Sequence, residues 1–344
     1  MLRLYLRSSR SIHIIRKMST CNICPRHCNA DRSLAEGWCR SDDRIHVSSL
    51  VIHRGEEPPI SGEKGIVNLF FPSCNMQCAY CQNWEISRRG TQGNVLTLDE
   101  VCDAIIDLLP MSEGNLGFVS PTHFVPQMIS IVEELRKRGH NPTIVYNTNG
   151  YELPETIRSL EGTVDVWLPD FKYSDDNLAS ELSEASQYSK YAFGSLKEMV
   201  RQVGTTLHTD ERGIARRGII IRHLVLPGFV DNSIGVLRLI AEDLSPNLHI
   251  SLMSQYYPTL FLVSPPEPGG VAAQKRGGGG LSGSETGTLK PLNTEPLKHP
   301  ITSSEYDHVV ATFHCLNFTR GWLQDYDSHT SIRPDFSRRN PFEE

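Results

Sequence analysis

Apolar residues fall along the chain in two alternating rhythms. Short unbroken runs bounded by Gly and Pro read as buried strands. They are Ile66–Phe71 (IVNLFF), Leu116–Val119, Thr143–Tyr146, Val164–Leu168, Gly218–Leu226 (GIIIRHLVL) and His249–Met253. Between them, apolar residues recur three and four apart. Thr97 stands as an N-cap before Leu98, Val101, Cys102, Ile105 and Ile106. Met128, Ile129, Ile131, Val132 and Leu135 share a second helical face, which stops at Gly139. Ile234–Ala241 and Ser304–Phe313 repeat the helical rhythm. Strands alternating with helices in this way predict βα units, a mainly parallel sheet and the α/β class. In such sheets and barrels ligands collect at the carboxyl ends of the strands, so the residues just after each strand carry the chemistry.

Three regions stand outside this alternation. Residues 21–65 are rich in cysteine, charge, Gly and Pro ahead of the 66–260 core. Residues 261–300 contain four consecutive glycines, Gly277–Gly280, amid Ser, Thr and Pro. That composition buries too little apolar surface to order itself, so a disordered low-complexity insertion is expected, followed by a C-terminal helix and tail over 301–344. Residues 1–20 carry Arg3, Arg7, Arg10, Arg16 and Lys17 and no acid. This basic extension resembles a mitochondrial transit peptide, and a basic tail ahead of a start at Met18 has the same composition.

The 344 residues suffice for one large domain with appendages, or for two. A formal charge of −6 leaves no basic excess, so no nucleic-acid partner is expected. No apolar run reaches bilayer length, so no membrane partner is expected either. The nine cysteines change the picture more. Cys21, Cys24, Cys28 and Cys39 form one group; Cys74, Cys78 and Cys81 form another. Tight clusters of this kind read as metal sites in a reducing compartment, cytoplasmic or mitochondrial matrix, rather than as a disulfide framework. Cys102, on an apolar helix face, reads as a small buried residue.

Cys74-x3-Cys78-x2-Cys81 lies directly after the first strand, with Tyr80 before its last cysteine. Three thiolates can hold three irons of a 4Fe–4S cube and leave the fourth iron open, the mark of a catalytic centre. A zinc loop with a remote fourth ligand, or three unconnected thiols, are the plainer readings. Cys21-x2-Cys24-x3-Cys28-x10-Cys39 suits zinc or a second iron–sulfur cluster, with His27 as a substitute ligand.

The cysteine motif in this context resembles the radical S-adenosylmethionine (radical SAM) superfamily. Within it the chain is similar to proteins related to pyruvate formate-lyase activating enzyme, on the stretches CNICPRHC (21–28), HRGEEPPISG (53–62), CQN (81–83), SPTHF (120–124), YNTNGY (146–151), DFK (170–172) and HLVLPG (223–228). The resemblance implies a partial (β/α)6 TIM-like barrel with a cluster at its mouth. It also implies S-adenosylmethionine on the open iron, a flavodoxin- or ferredoxin-like electron donor, and a 5′-deoxyadenosyl radical that takes hydrogen from an unknown protein or small-molecule substrate. Activation of a glycyl-radical enzyme is one such reaction; a non-catalytic iron–sulfur or zinc protein that keeps the fold is the alternative. By the same resemblance Tyr80 lies near the adenine, and Thr122 and His123 stand where many members carry a Gly-Gly-Glu-like motif. Asn147 and Asn149 follow the third strand, Asp170 and Lys172 the fourth, and Gln255 the sixth. A carboxylate can accept from ribose hydroxyls, and an ammonium can pair with the methionine carboxylate.

Overall fold

The computed structural model describes residues 20–259, 294–330, 333–338 and 340–342. The expected N-terminal extension, save its last residue, and most of the expected insertion lie outside the described residues. Thr294–Pro300, at the insertion's end, is described: Glu295–Lys298 forms a 3-10 turn, Leu297 is buried, and the Tyr256 hydroxyl donates to its carbonyl.

The strands are β1 (Ile45–Val47), β2 (Ser49–His53), β3 (Ile66–Phe70), β4 (Asn94–Leu96), β5 (Asn115–Val119), β6 (Thr143–Thr148), β7 (Val166–Pro169), β8 (His208–Thr209), β9 (Ala215–Leu224), β10 (His249–Met253) and β11 (Gly321–Leu323). The helices are α1 (Pro58–Ser61), α2 (Trp84–Ser87), α3 (Leu98–Leu108), α4 (Val125–Lys137), α5 (Pro154–Ser159), α6 (Asp176–Ser183), α7 (Tyr188–Val203), α8 (Val230–Asp243) and α9 (Ser303–Cys315). One sheet runs β11-β10-β9-β7-β6-β5-β3-β2, with β8 on β9, while β1 and β4 pair separately. From β3 to β11 the neighbours along this order are parallel; β2 is antiparallel to β3. The fold is therefore α/β with a mostly parallel sheet.

Helices on the outer face and the lumen on the inner explain why the strands read as continuous apolar runs rather than alternations. Every residue of β3, β5 and β7 is buried. The expected N-cap at Thr97 is a full capping box: its side chain accepts from Glu100 N, and the Glu100 carboxylate accepts from Thr97 N at 2.8 Å.

Five strands exceed the expected six, the short β1, β4 and β8 and two that extend the main sheet. β11 adds a further parallel strand from the segment expected to be tail, and β2 extends the sheet from within the cysteine-rich segment. Because β2 is antiparallel, its end at His53 lies beside Ile66, the start of β3. The chain then turns up into the sheet's concave interior. Asn115, at the start of β5, donates to the Ile60 carbonyl at 3.0 Å, and Asn68, in the middle of β3, donates to Glu56 at 2.9 Å. Residues 54–62 thus plug the lumen from the amino-terminal ends of the strands.

Candidate active site

β3 delivers the chain to Cys74, and α6 pins the loop that follows. Gln77 N donates to Ser183 O at 3.0 Å, and Ala79 N to Leu182 O at 2.8 Å. The buried Asn75 amide anchors the loop to Tyr151 O at 2.7 Å. Cys74, Cys78 and Cys81 all line one cavity of about 300 Å³. His53, Phe70, Val119, Asn147, Arg222, Ser251 and Trp322 line the same cavity, each from a different strand, so the sheet curls around it.

Each sulfur has a polar neighbour. Asn149 Nδ2 donates to Cys74 Sγ at 3.2 Å, Ser183 Oγ to Cys78 Sγ at 3.0 Å, and Cys81 Sγ lies 2.9 Å from Ser87 Oγ. Burial pushes the thiols up, Cys74 to about 12 and Cys78 to about 11, with Cys81 shifted the same way. Thiolates so shielded therefore require a cationic centre to hold them ionised. Among the described residues no three Cys, His, Asp or Glu side chains are arranged around a single ion. A cube spreads three thiolates over three irons and needs no fourth protein ligand. The donor set fits an iron–sulfur cluster.

The strand ends supply the rest. After β6, Gly150 adopts φ 81°, and a Cβ there would lie 2.3 Å from Asp170 O, so glycine lets this turn approach the end of β7. Asn147, Asn149, Asp170, Lys172 and Gln255 all line the cavity. Lys172 Nζ donates to Asp170 Oδ2 at 2.6 Å, with side-chain exposures of only 15% and 14%. This pair is not a surface ion pair. Arg222 ties it into a larger network, donating from Nε to Asp170 at 2.8 Å, from Nη1 to Glu56 at 3.1 Å and from Nη2 to Asn147 at 2.6 Å. Gln255 exchanges hydrogen bonds with Gln82, next to Cys81. Tyr80 also lines the cavity, edge-on to Tyr173 and Tyr256.

Thr122 and His123 depart from expectation: neither lines the cavity. The 3-10 turn Pro121–Phe124 points both away, and Ser120 faces the cavity instead. His123 Nε2 meets Pro72 O at 2.8 Å, and burial holds the ring neutral, its pKa pushed down to about 3. Thr122 donates to Glu152 at 2.6 Å. Glu152 also accepts from Tyr146 at 3.0 Å and Thr148 at 2.6 Å, yet burial raises its pKa to about 7. The neutral acid thus contributes stability that is complete below pH ~4.5 and lost as pH rises through about 7. The loss amounts to about 3 kcal/mol. Glu152→Gln should flatten that decline and match or exceed the wild type at pH 8 in urea unfolding. An undiminished fall between pH 5 and 8 in the variant would assign the slope to other groups.

The N-terminal cysteines do not form a ready single-ion site among the described residues. Cys28 and Cys39 flank Gly37, whose Cβ would lie 3.4 and 3.6 Å from their sulfurs. Burial raises the Cys21 and Cys24 thiols, and His27 faces a separate depression beside Lys190 and Tyr191. The segment also packs against the cluster loop. Arg26 stacks on Trp38 at 3.6 Å and donates to Asn75 O at 2.8 Å.

Residues 68–237 match the family model of the radical SAM superfamily. The chain belongs to that superfamily. The uncharacterized protein MJ0674 of Methanocaldococcus jannaschii is 30% identical over 247 residues, 69% of this chain, and the chain spans 66% of that relative's length. Among solved structures, anSMEcpe with bound AdoMet is 12% identical with a TM-score of 0.45, covering 75% of this chain and 64% of that one. The FeFe-hydrogenase maturase HydG from Carboxydothermus hydrogenoformans is 13% identical with a TM-score of 0.42, covering 77% and 55%. Superfamily membership implies a 4Fe–4S cluster and S-adenosylmethionine as cofactors.

Among the described residues no helix is long and apolar enough to cross a membrane.

Sequence reasoning missed several cavity residues. Ser87 and Ser183 touch two of the sulfurs, and Arg222, Glu56 and Glu57 build the cavity floor. Arg222 did carry a signal: a lone cation in the apolar run GIIIRHLVL demands a buried counter-charge.

Proposed function

We propose that the chain is a radical SAM enzyme whose catalytic centre is the cavity bounded by Cys74, Cys78 and Cys81. The observation that carries this reading is the gathering of three thiols, Cys74 buried and Cys78 and Cys81 half-buried, and a largely shielded Lys172–Asp170 pair around one cavity. With a cluster and S-adenosylmethionine bound, the chemistry supplied is reductive cleavage of the sulfonium to methionine and a 5′-deoxyadenosyl radical, which takes a hydrogen atom from the substrate. A one-electron donor of the flavodoxin or ferredoxin class would serve the cluster.

The chain's own residues bind, orient and shield. Asn149 and Ser183 direct hydrogen bonds at sulfurs, which lowers the cost of negative charge there. Lys172 offers its ammonium to the methionine carboxylate, and Asp170 holds that ammonium in place. Asn147 offers an amide to the nucleoside end, and Tyr80 gives a flat apolar wall for the adenine. Gln255 and Gln82 brace the loop beyond Cys81. Cys21, Cys24, Cys28 and Cys39 are candidates for zinc or a second cluster after rearrangement of the segment. The subgroup resemblance favours a glycyl-radical enzyme as substrate, with a peptide or small molecule as the other class.

Lys172→Ala tests the cofactor site. A buried charge-assisted hydrogen bond to the carboxylate contributes ~1.5–3 kcal/mol, so affinity for S-adenosylmethionine should fall about ten- to hundredfold at full iron content. Calorimetric titration of the reconstituted protein reads this directly. Unchanged affinity with unchanged iron would remove Lys172 from the cofactor site.

A further inference from the structure

Beneath the cysteines the cavity continues to a floor made by the plug of residues 54–62, and that floor has one charge too many. The acids lining the cavity are Glu56, Glu57 and Asp170; the Lys and Arg cations are Lys172 and Arg222. Both cations are engaged: Lys172 with Asp170, and Arg222 with Asp170 and Glu56. Glu56 is further held by Asn68 and by His53, whose ring lies 3.4 Å away. Glu57 is left over. It is 8% exposed, and its Oε2 has no hydrogen-bond partner among the described residues. A buried carboxylate oxygen without a donor is costly, and a ligand's donor to this cavity-lining side chain relieves that cost.

We infer that Glu57 recognises the substrate and that the substrate carries a cationic nitrogen, an ammonium or guanidinium, at the end that reaches the cavity floor.

The inference rests on the radical SAM reading of this cavity and goes beyond it by naming the substrate's charge. Glu57 enters the cavity from the side opposite the cysteine loop: it lies three residues before Ile60, whose carbonyl meets the start of β5, whereas Cys74–Cys81 follow the end of β3. Ser251, in the middle of β10, hydrogen-bonds the Glu57 carboxyl, and the charge of Arg222, Ser251's partner on β9, acts on it without pairing with it. Gln255, hydrogen-bonded to Gln82 beside Cys81, lies four residues further along the chain from Ser251. Lys172, the side chain offered to the methionine carboxylate, follows the carboxyl end of β7. Burial pushes the Glu57 carboxyl up, and the Arg222 charge only partly opposes this. A cation entering the floor would favour the carboxylate form.

The test uses cluster-reconstituted protein with S-adenosylmethionine present. The probes are n-pentylammonium and agmatine, with 1-pentanol and valeramide as neutral counterparts, and binding is read by calorimetry and by the shift in melting temperature. The expected result is saturable binding of both cations and not of the neutral probes. Glu57→Gln should weaken cation binding about ten- to hundredfold while its affinity for S-adenosylmethionine stays at the wild-type value. Equal binding of neutral and cationic probes, no saturable cation binding to the wild type, or undiminished cation binding to Glu57→Gln would each overturn the assignment. A parallel loss of S-adenosylmethionine affinity would overturn it too, by giving Glu57 to the cofactor. The wild-type comparison stands even if the variant folds poorly. Release of 5′-deoxyadenosine is a separate readout: cation binding without cofactor cleavage would refute the catalytic reading and leave this one intact.

Discussion

Cys78→Ala should lower the iron content of anaerobically reconstituted protein by about four per chain and remove the matching visible absorbance. Cys78 occupies the middle of the loop and is reached by Ser183 Oγ at 3.0 Å. Two remaining thiolates hold a cube too weakly to survive desalting. The N-terminal cysteines do not confuse the result, because the quantity read is a difference between variant and wild type. Cys315→Ala is the control, since Cys315 is exposed on α9 and its loss should leave iron unchanged. Full iron content in Cys78→Ala would dismantle the cluster assignment.

Arg222→Ala should cost about 3–5 kcal/mol of stability, the usual penalty for leaving buried charge uncompensated. Its guanidinium serves three partners from three nitrogens, Asp170, Glu56 and Asn147. The Arg222 and Lys172 charges help hold the buried Asp170 ionised, and His53 and Arg222 do so for Glu56, depressed to about 2. Removing Arg222 strands two carboxylates around the cavity floor. Arg222→Lys should recover only part of the loss, because one ammonium cannot span the planar fork. Urea unfolding at neutral pH measures both variants. A loss under 1 kcal/mol for Arg222→Ala would mean that the network is solvated and relaxes freely.

Much of this framework was legible because strand runs and helix periods are local. β10 falls on the residues expected, His249–Met253, and the Thr97 cap was visible from its sequence. α7 was missed although Tyr188, Ala192, Leu196, Met199 and Val203 recur at helical spacing, a signal present but unread. β11, three residues of Gly-Trp-Leu, carries no period of its own and exists only because β10 offers it an edge. The site divides in the same way. The cysteines, Asn149 and Lys172 sit at strand ends, where fold class alone directs attention. Thr122 and His123 occupy the equivalent place after β5, but the turn's handedness at Ser120, with φ 50°, decides which side chains face the cavity. Glu56 and Glu57 were part of a recognised stretch whose role depends on a plug passing up through the lumen. Only the antiparallel register of β2 reveals that path.

The central claim is that this cavity performs reductive cleavage of S-adenosylmethionine. The most direct measurement is anaerobic: reconstituted protein, dithionite and S-adenosylmethionine, with 5′-deoxyadenosine quantified by chromatography. The account predicts time-dependent release of 5′-deoxyadenosine and methionine, absent from Cys78→Ala and strongly reduced, at sub-saturating cofactor, in Lys172→Ala. Fully iron-loaded wild-type protein that binds S-adenosylmethionine, is reduced by dithionite and releases no 5′-deoxyadenosine would contradict it.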